Sequence, residues 1–170
     1  MLWLGGWIEA TQANLRAAAA QHGIAPERLI FAPLAQREQH LQRLALADIA
    51  LDTLHHGGGI TSIDALWAGV PLLSIGGATP AARMGVTLLT AAGVPELICA
   101  DLAEYEARAI AYAREPGALA ALRDRLTRTV DSCPLFDVSR YARHLESAYR
   151  LMWRDHAAGL RHAIEVPPYS

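Results

Sequence analysis

The sequence predicts an α/β protein built on a parallel sheet and followed by C-terminal helices. Short apolar runs alternate with longer amphipathic stretches as far as residue 99, which is the pattern of βαβ units. Beyond that residue, helical stretches follow one another with no strand pattern between them. Hydrophobic residues make up 52% of the chain and charged residues 19%, so the chain has enough apolar side chains for a folded core.

Five strands alternate with four helices in the first part of the chain. The predicted strands cover residues 2–4, 28–32, 49–52, 71–75 and 97–99. The predicted helices between them cover residues 9–22, 37–46, 61–68 and 80–92. Gly23 and Gly69 directly follow two of these helices, at the position where glycine often ends a helix.

The second part of the chain is predicted to be helical over residues 102–115, 116–131 and 138–156. A break falls between the last two helices, at Pro134, because proline cannot continue a helix. We therefore expect one sheet-based lobe over residues 1–131, followed by a C-terminal helix and tail over residues 132–170 that pack on this lobe or on a lobe outside the chain.

The last predicted helix carries an apolar stripe, formed by Tyr141, Leu145, Tyr149 and Met152 at spacings of three and four. Such a stripe marks one face of a helix. Two interpretations stay open: the stripe packs on the sheet of this chain, or it contacts a partner lobe outside it.

Composition and charge narrow the function classes. The formal net charge is −2, which argues against a nucleic-acid partner because such proteins usually carry a basic field. No stretch has the length and apolarity of a membrane helix. The two cysteines do not have metal-ligand spacing, so we expect reduced thiols and a cytoplasmic location.

A glycine-rich segment follows the third predicted strand. Residues 53–59, here called the glycine loop, end in Gly57, Gly58 and Gly59 and lead into a helix with Thr61 at its start. Backbone N–H groups in such a loop can approach phosphate oxygens, and the helix start adds partial positive charge. Asp64, one turn into the helix, suits a ribose diol. The alternative is an ordinary glycine-rich turn with a threonine cap and a solvated aspartate.

Three polar residues in the second predicted helix form the arginine–histidine cluster, which comprises Arg37, His40 and Arg43. Their spacing of three places them on neighbouring positions of one helical face. Guanidinium forks and an imidazole suit a base edge, a ribose or a diphosphate, whereas the alternative is a solvated basic face. This cluster and the glycine loop follow consecutive strands, and ligands of open α/β sheets bind at the carboxyl ends of strands.

Other chemistries lack their motifs in this sequence. There is no GxGxxG or GxxxxGK[ST] for a dinucleotide or P-loop site, no GxSxG for a hydrolase, and no DxD pair for a metal-bound diphosphate. His55 and His56 have no carboxylate or cysteine at ligand spacing. These residues therefore indicate no metal site, and the resemblance described below implies neither a cofactor nor a catalytic residue in this chain.

The combined motifs make the sequence recognisable. The runs RLIFAPLAQREQHLQR, LADIALDT, DALWAGVPLLS and AARMGVTLLTAAGVPELI, followed by CPLFDVSRYARHLESAYRLMW, resemble the C-terminal part of protein O-linked N-acetylglucosamine transferases, particularly the bacterial tetratricopeptide-repeat type. The resemblance covers about residues 2–158. It implies the second, Rossmann-like lobe of a GT-B glycosyltransferase, which binds UDP-N-acetylglucosamine without a metal.

The resemblance also implies roles for individual residues. The uracil would lie between Ala35, through its backbone, and Arg37, with His40 beside the base and ribose and Arg43 supporting His40. Asp64 would hold the ribose hydroxyls.

The glycine loop has the other implied roles. Thr61 and the amides of Gly58 and Gly59 would hold the diphosphate, and His56 would approach the donor sugar. Where many members of the family have His-Thr-Thr, this chain reads Gly59-Ile60-Thr61, so one imidazole and one hydroxyl are missing.

In the family, the complete enzyme transfers the sugar to a protein serine or threonine with inversion. The resemblance implies partners that this chain does not contain, namely an N-terminal catalytic lobe, tetratricopeptide repeats and a protein acceptor. We therefore expect a donor-binding fragment that is inactive alone. The alternative is a non-catalytic remnant or interaction module whose nucleotide-sugar site has decayed.

Overall fold

The computed structural model of the chain describes residues 2–4 and 8–167. Within these residues the strands are β1 (Leu2–Leu4), β2 (Ile30–Ala32), β3 (Ala50–Leu51), β4 (Leu72–Ile75) and β5 (Ile98–Cys99). The α-helices are α1 (Glu9–Gln21), α2 (Arg37–Leu44), α3 (Ile60–Trp67), α4 (Met84–Ala91), α5 (Leu102–Arg114), α6 (Pro116–Thr129) and α7 (Val138–Ala157).

The α/β class and the parallel pairing are confirmed. All three strand pairings that the structure describes are parallel, and helices alone follow β5. The predicted strand over residues 28–32 is wrong at its start, since a 3-10 turn at Pro26–Arg28 precedes β2. Proline at the start fixes the backbone dihedral that such a turn needs.

Two predicted helix starts are also corrected. The helix predicted over residues 80–92 begins as a 3-10 turn at Ala81–Arg83, and α4 starts only at Met84. Helix α3 starts at Ile60 with Gly59 as its N-cap residue. Thr61 is therefore the second helical residue and does not cap the helix.

The chain divides into two compact units, Met1–Asp48 and Ile49–Ser170. In the first unit β1 pairs in parallel with β2, with Trp3 opposite Phe31. The guanidinium carbon of Arg16, on α1, lies 4.6 Å from the centre of the Phe31 ring, a cation–π distance that joins the helix to the strand. The domain boundary predicted at residue 131 stays a prediction.

The second unit is built around β4, which lies between β3 and β5. Leu72, Leu73 and Ser74 of this strand are all buried, in agreement with the uninterrupted apolar run that a strand covered on both faces shows. Leu66 of α3 and Leu89 of α4 belong to the same core cluster. Helices α3 and α4 therefore pack on β4 through one core cluster.

Two helices of this unit end on glycines with a left-handed backbone. Gly69, after α3, has φ of +73° and Gly93, after α4, has φ of +75°, a region that side chains with a Cβ enter at a cost. In both cases the next residue donates its N–H back into the helix, Val70 to Ala65 O and Val94 to Leu89 O. These helix ends return the chain to β4 and toward β5.

Helix α7 exposes most of its apolar residues. Tyr149 is 61% exposed and Trp153 is 71% exposed, and Tyr141 is exposed as well. The stripe along this helix is therefore not part of the core that the structure describes. No helix in the described part of the chain combines the length and apolarity needed to cross a membrane.

We predict that Leu89→Ala destabilises the protein by about 3 kcal/mol, because the substitution leaves a cavity in a closely packed core. Leu89 is fully buried, whereas Leu102 is 56% exposed. The matched variant Leu102→Ala should cost about 0.5 kcal/mol or less. Urea unfolding followed by circular dichroism measures both, and equal losses for the two variants would contradict the assignment of the core.

Candidate functional site

In the first unit, Arg43 orders the arginine–histidine cluster. One of its guanidinium nitrogens, Nη1, donates to the backbone oxygen of Pro33 at 2.9 Å, and Nη2 lies 3.1 Å from His40 Nδ1. A guanidinium group has no acceptor, so Nδ1 of His40 accepts this hydrogen bond. The ring proton of the neutral imidazole is then on Nε2, and His40 offers an oriented N–H donor at that atom.

The other residues assigned to the uridine lie just before His40. Ala35 is exposed in the segment that follows β2, and Arg37 is the exposed first residue of α2. Arg37 takes part in an interaction within the chain. The roles of both residues toward a base stay predictions.

In the second unit, the glycine loop is tied to the carboxylate of Asp52. The Oδ1 atom of Asp52 accepts hydrogen bonds from the N–H of Thr53 at 3.0 Å and from the N–H of Gly58 at 2.8 Å. Hydrogen bonds to an ionised carboxylate are stronger than those between neutral groups. This carboxylate therefore links the end of β3 to the last part of the loop.

The same carboxylate is held from the sheet side. Leu51 lies opposite Leu73 in the β3–β4 register, which brings the next residues, Asp52 and Ser74, side by side. The hydroxyl of Ser74 donates to Asp52 Oδ2 at 2.6 Å. Ser74 is fully buried, so this bond also satisfies a polar group that would otherwise be costly to bury.

Tyr105 of α5 holds the backbone of the same residue. Its hydroxyl donates to the carbonyl oxygen of Asp52 at 2.9 Å. Burial, with a smaller contribution from the negative charge of Asp52, raises the pKa of Tyr105 to about 12. The phenol therefore keeps its proton and remains a donor at every pH near neutrality.

The loop leaves a short row of unused donors. The N–H of Gly57 donates to Ala81 O at 3.0 Å, and that of Gly58 is taken by Asp52. The next three N–H groups, of Gly59, Ile60 and Thr61, have no acceptor among the residues that the structure describes. They form the start of α3, where the helix dipole favours an anion.

The resemblance assigned the Gly58 amide to the diphosphate, and in this structure that N–H donates to Asp52 Oδ1. A Cβ at Gly58 would collide with the Ser62 hydroxyl. A Cβ at Gly59 would meet nothing within 4 Å, so Gly59 borders open space. Gly59 is therefore the residue of the loop next to which a ligand has room.

The other predicted donor-site residues of this unit lie before and after Gly59 in the sequence. His56 and Thr61 are exposed, and the carbonyl oxygen of His56 accepts from Thr53 Oγ1 at 2.5 Å. Asp64 is only 4% exposed and is already engaged within the chain. Its carboxylate lies about one turn into α3, where the dipole stabilises negative charge.

Sequence reasoning did not identify Asp52, Ser74 or Tyr105. Asp52 directly follows an apolar strand and directly precedes the loop, and a carboxylate at that position was the available signal. The sequence spacing of Ser74 and Tyr105 did not indicate that either residue contacts Asp52. Within residues 2–4 and 8–167, no group of three histidine, cysteine, aspartate or glutamate side chains is placed to hold a metal ion.

The sequence profile of glycosyl transferase family 41 matches residues 1–145. That match covers most of the chain, and the chain therefore belongs to glycosyl transferase family 41. Its parallel three-stranded sheet and surrounding helices match the C-terminal lobe of a GT-B O-GlcNAc transferase.

Similarity to individual proteins supports the same family assignment. A mutant of the Thermobaculum terrenum O-GlcNAc transferase superposes with a TM-score of 0.81 at 38% identity, over 87% of this chain and 28% of that one. The probable UDP-N-acetylglucosamine–peptide N-acetylglucosaminyltransferase SEC of Arabidopsis thaliana is 36% identical over 93% of this chain. The Caenorhabditis elegans UDP-N-acetylglucosamine–peptide N-acetylglucosaminyltransferase is 31% identical over 94%. The chain spans only 16% and 14% of the length of these two relatives.

Proposed function

We propose that this chain is the donor-binding part of an O-linked N-acetylglucosaminyltransferase and binds UDP-N-acetylglucosamine. The observation that carries the proposal is the row of N–H groups at Gly59, Ile60 and Thr61, which have no acceptor in the described part of the chain. The chain belongs to family 41. The names of two relatives support the choice of donor. The Arabidopsis thaliana relative is named a probable UDP-N-acetylglucosamine–peptide N-acetylglucosaminyltransferase, and the Caenorhabditis elegans relative a UDP-N-acetylglucosamine–peptide N-acetylglucosaminyltransferase.

The proposed role of the glycine loop is to hold the diphosphate. Three N–H groups and the partial positive charge of a helix start can neutralise phosphate oxygens without a cation. The same groups stabilise the negative charge that develops on UDP as it leaves. A metal ion is therefore not required for departure of the nucleotide.

The proposed role of the arginine–histidine cluster is to recognise uridine. His40 offers an oriented Nε2–H donor because Arg43 occupies its Nδ1 atom, and Arg37 adds a charged, planar fork. Asp64 is the proposed acceptor for the ribose hydroxyls, and His56 the proposed neighbour of the sugar.

In the complete protein, the proposed reaction transfers N-acetylglucosamine with inversion from UDP to a serine or threonine hydroxyl of a protein. We assign no catalytic residue to this chain. The acceptor site and the groups that act on the acceptor hydroxyl would come from a lobe outside it.

A specific observation favours a second function, a non-catalytic module with a decayed donor site. Ile60 is the first residue of α3 and its apolar side chain is 72% exposed. Gly59 beside it has no side chain. At two positions next to the proposed diphosphate, this chain thus offers neither a hydroxyl nor an imidazole.

We predict that the chain binds UDP and that His40→Ala abolishes measurable binding, because the variant removes the oriented donor. Asp64→Asn should also weaken binding, since it removes the charge proposed to hold the ribose. Isothermal titration calorimetry measures both effects, and the melting temperature should rise with millimolar UDP because the ligand binds the native state.

The control is His22→Ala, which changes an exposed histidine at the end of α1 and should leave UDP affinity unchanged. Absence of UDP binding by the unaltered chain would overturn the proposal in favour of the non-catalytic module. Unchanged affinity in His40→Ala would overturn the assignment of the uridine cluster alone.

We further predict that Gly59→His combined with Ile60→Thr raises UDP affinity by about tenfold, because each adds a hydrogen-bonding group beside a charged ligand. The open space at Gly59 accommodates a side chain. Gly59→Leu with Ile60→Val adds similar bulk without polar atoms and serves as the control. Equal affinities of the two double variants would contradict a diphosphate at this helix start.

A further inference from the structure

The Asp52 carboxylate has no role in the proposed contacts with the donor, yet it lies at the centre of the loop that would make them. It accepts from three donors: the N–H groups of Thr53 and Gly58 and the hydroxyl of Ser74. Two of these donors lie in the glycine loop and the third lies in β4, whereas Asp52 itself directly follows β3. The carboxylate therefore connects the glycine loop to two neighbouring strands.

Two glycines show how closely the chain surrounds this carboxylate. A Cβ at Gly57 would lie 3.2 Å from Asp52 Oδ2. A Cβ at Gly85, on α4, would collide with both Asp52 Oδ2 and the Ser74 hydroxyl. Helix α4 therefore approaches the carboxylate so closely that a Cβ at Gly85 does not fit without a shift, and the glycine loop approaches it closely at Gly57.

The hydrogen bond from Gly58 decides which amides remain available for an anion. Because Asp52 takes the Gly58 N–H and Ala81 O takes the Gly57 N–H, the row of N–H groups at the start of α3 that have no acceptor among the described residues begins at Gly59. A negative charge so near a diphosphate would repel it if the charge were unpaired. The three hydrogen bonds to Asp52 disperse that charge. Asp52 therefore stabilises the loop through the hydrogen bonds that its carboxylate oxygens accept.

We propose that Asp52 is a positioning residue, which holds the glycine loop so that the N–H groups of Gly59, Ile60 and Thr61 meet the diphosphate of the donor. This inference rests on the proposed function, because it concerns the same nucleotide. Asp52 does not contact the ligand. It acts through Gly58, and Ser74 in turn holds Asp52.

The test compares UDP with uridine, which lacks the diphosphate, by calorimetry on the full chain. Asp52→Ala removes both acceptor atoms and should lower UDP affinity by about tenfold or more while leaving uridine affinity unchanged. Asp52→Asn keeps an acceptor oxygen for the loop amides and should restore most of the UDP affinity. Amide hydrogen exchange at Gly58 should be slow in the unaltered chain and fast in Asp52→Ala.

Asp101→Ala is the matched control. Asp101 is another loop aspartate whose carboxylate accepts a backbone N–H, that of Glu104 at 2.8 Å, and its loss should leave the preference for UDP over uridine unchanged. Should Asp52→Ala fail to fold, Ser74→Ala provides a second variant. It removes only the donor to Oδ2 and should lower UDP affinity, but not uridine affinity, to a smaller extent.

The possible outcomes separate this inference from the proposed function. If the unaltered chain prefers UDP and the Asp52→Ala and Ser74→Ala variants keep that preference, the positioning role is wrong and the donor site stands. If Asp52→Ala weakens UDP and uridine equally, the residue is merely structural and the inference is also wrong. If the unaltered chain binds UDP no more tightly than uridine, the proposed diphosphate site fails and the positioning role fails with it.

Discussion

The buried hydroxyl of Ser74 requires an acceptor, and Asp52 provides it. Ser74 is part of β4, the central strand of the second unit, where burying an unpaired polar group would be costly. The acceptor comes from the residue that follows β3, because the parallel register places the ends of these two strands side by side. One hydrogen bond at 2.6 Å therefore joins the core to the loop above it.

The hydrogen bond between Ser74 and Asp52 also helps to fix the conformation of the glycine loop. Asp52 also takes the N–H of Gly58, and Tyr105 holds the backbone of Asp52 from α5. Since Ser74 in β4 and Tyr105 in α5 both hold Asp52, the contact from Asp52 to Gly58 connects the loop to packed elements in the absence of a ligand. Binding of a ligand at a preformed site avoids the cost of ordering it.

Much of the fold could be predicted because its signals are local. Glycine after α3 and the apolar run of β4 each act within a few residues of the chain. The signal that predicts the glycine loop is local as well. The resemblance to the family led to the proposed roles of His40 and Asp64, which spacing alone left open between binding and a solvated surface.

The tie between the loop and the core could not be predicted, because it depends on pairing between distant segments. Ser74 lies 22 residues from Asp52, and Tyr105 lies 53 residues away. Only the strand register and the packing of α5 bring them together. The start of α3 was missed for a different reason: a threonine near a helix start predicts a cap, whereas the backbone enters this helix through Gly59.

The most direct test of this account is an amide NMR titration of the chain with UDP. We expect the largest shifts at Gly59, Ile60 and Thr61, because their N–H groups would bind the diphosphate. Gly57 and Gly58 should shift less, since their N–H groups stay bound to Ala81 and Asp52. Saturation by UDP with no response at the first three amides would contradict the account.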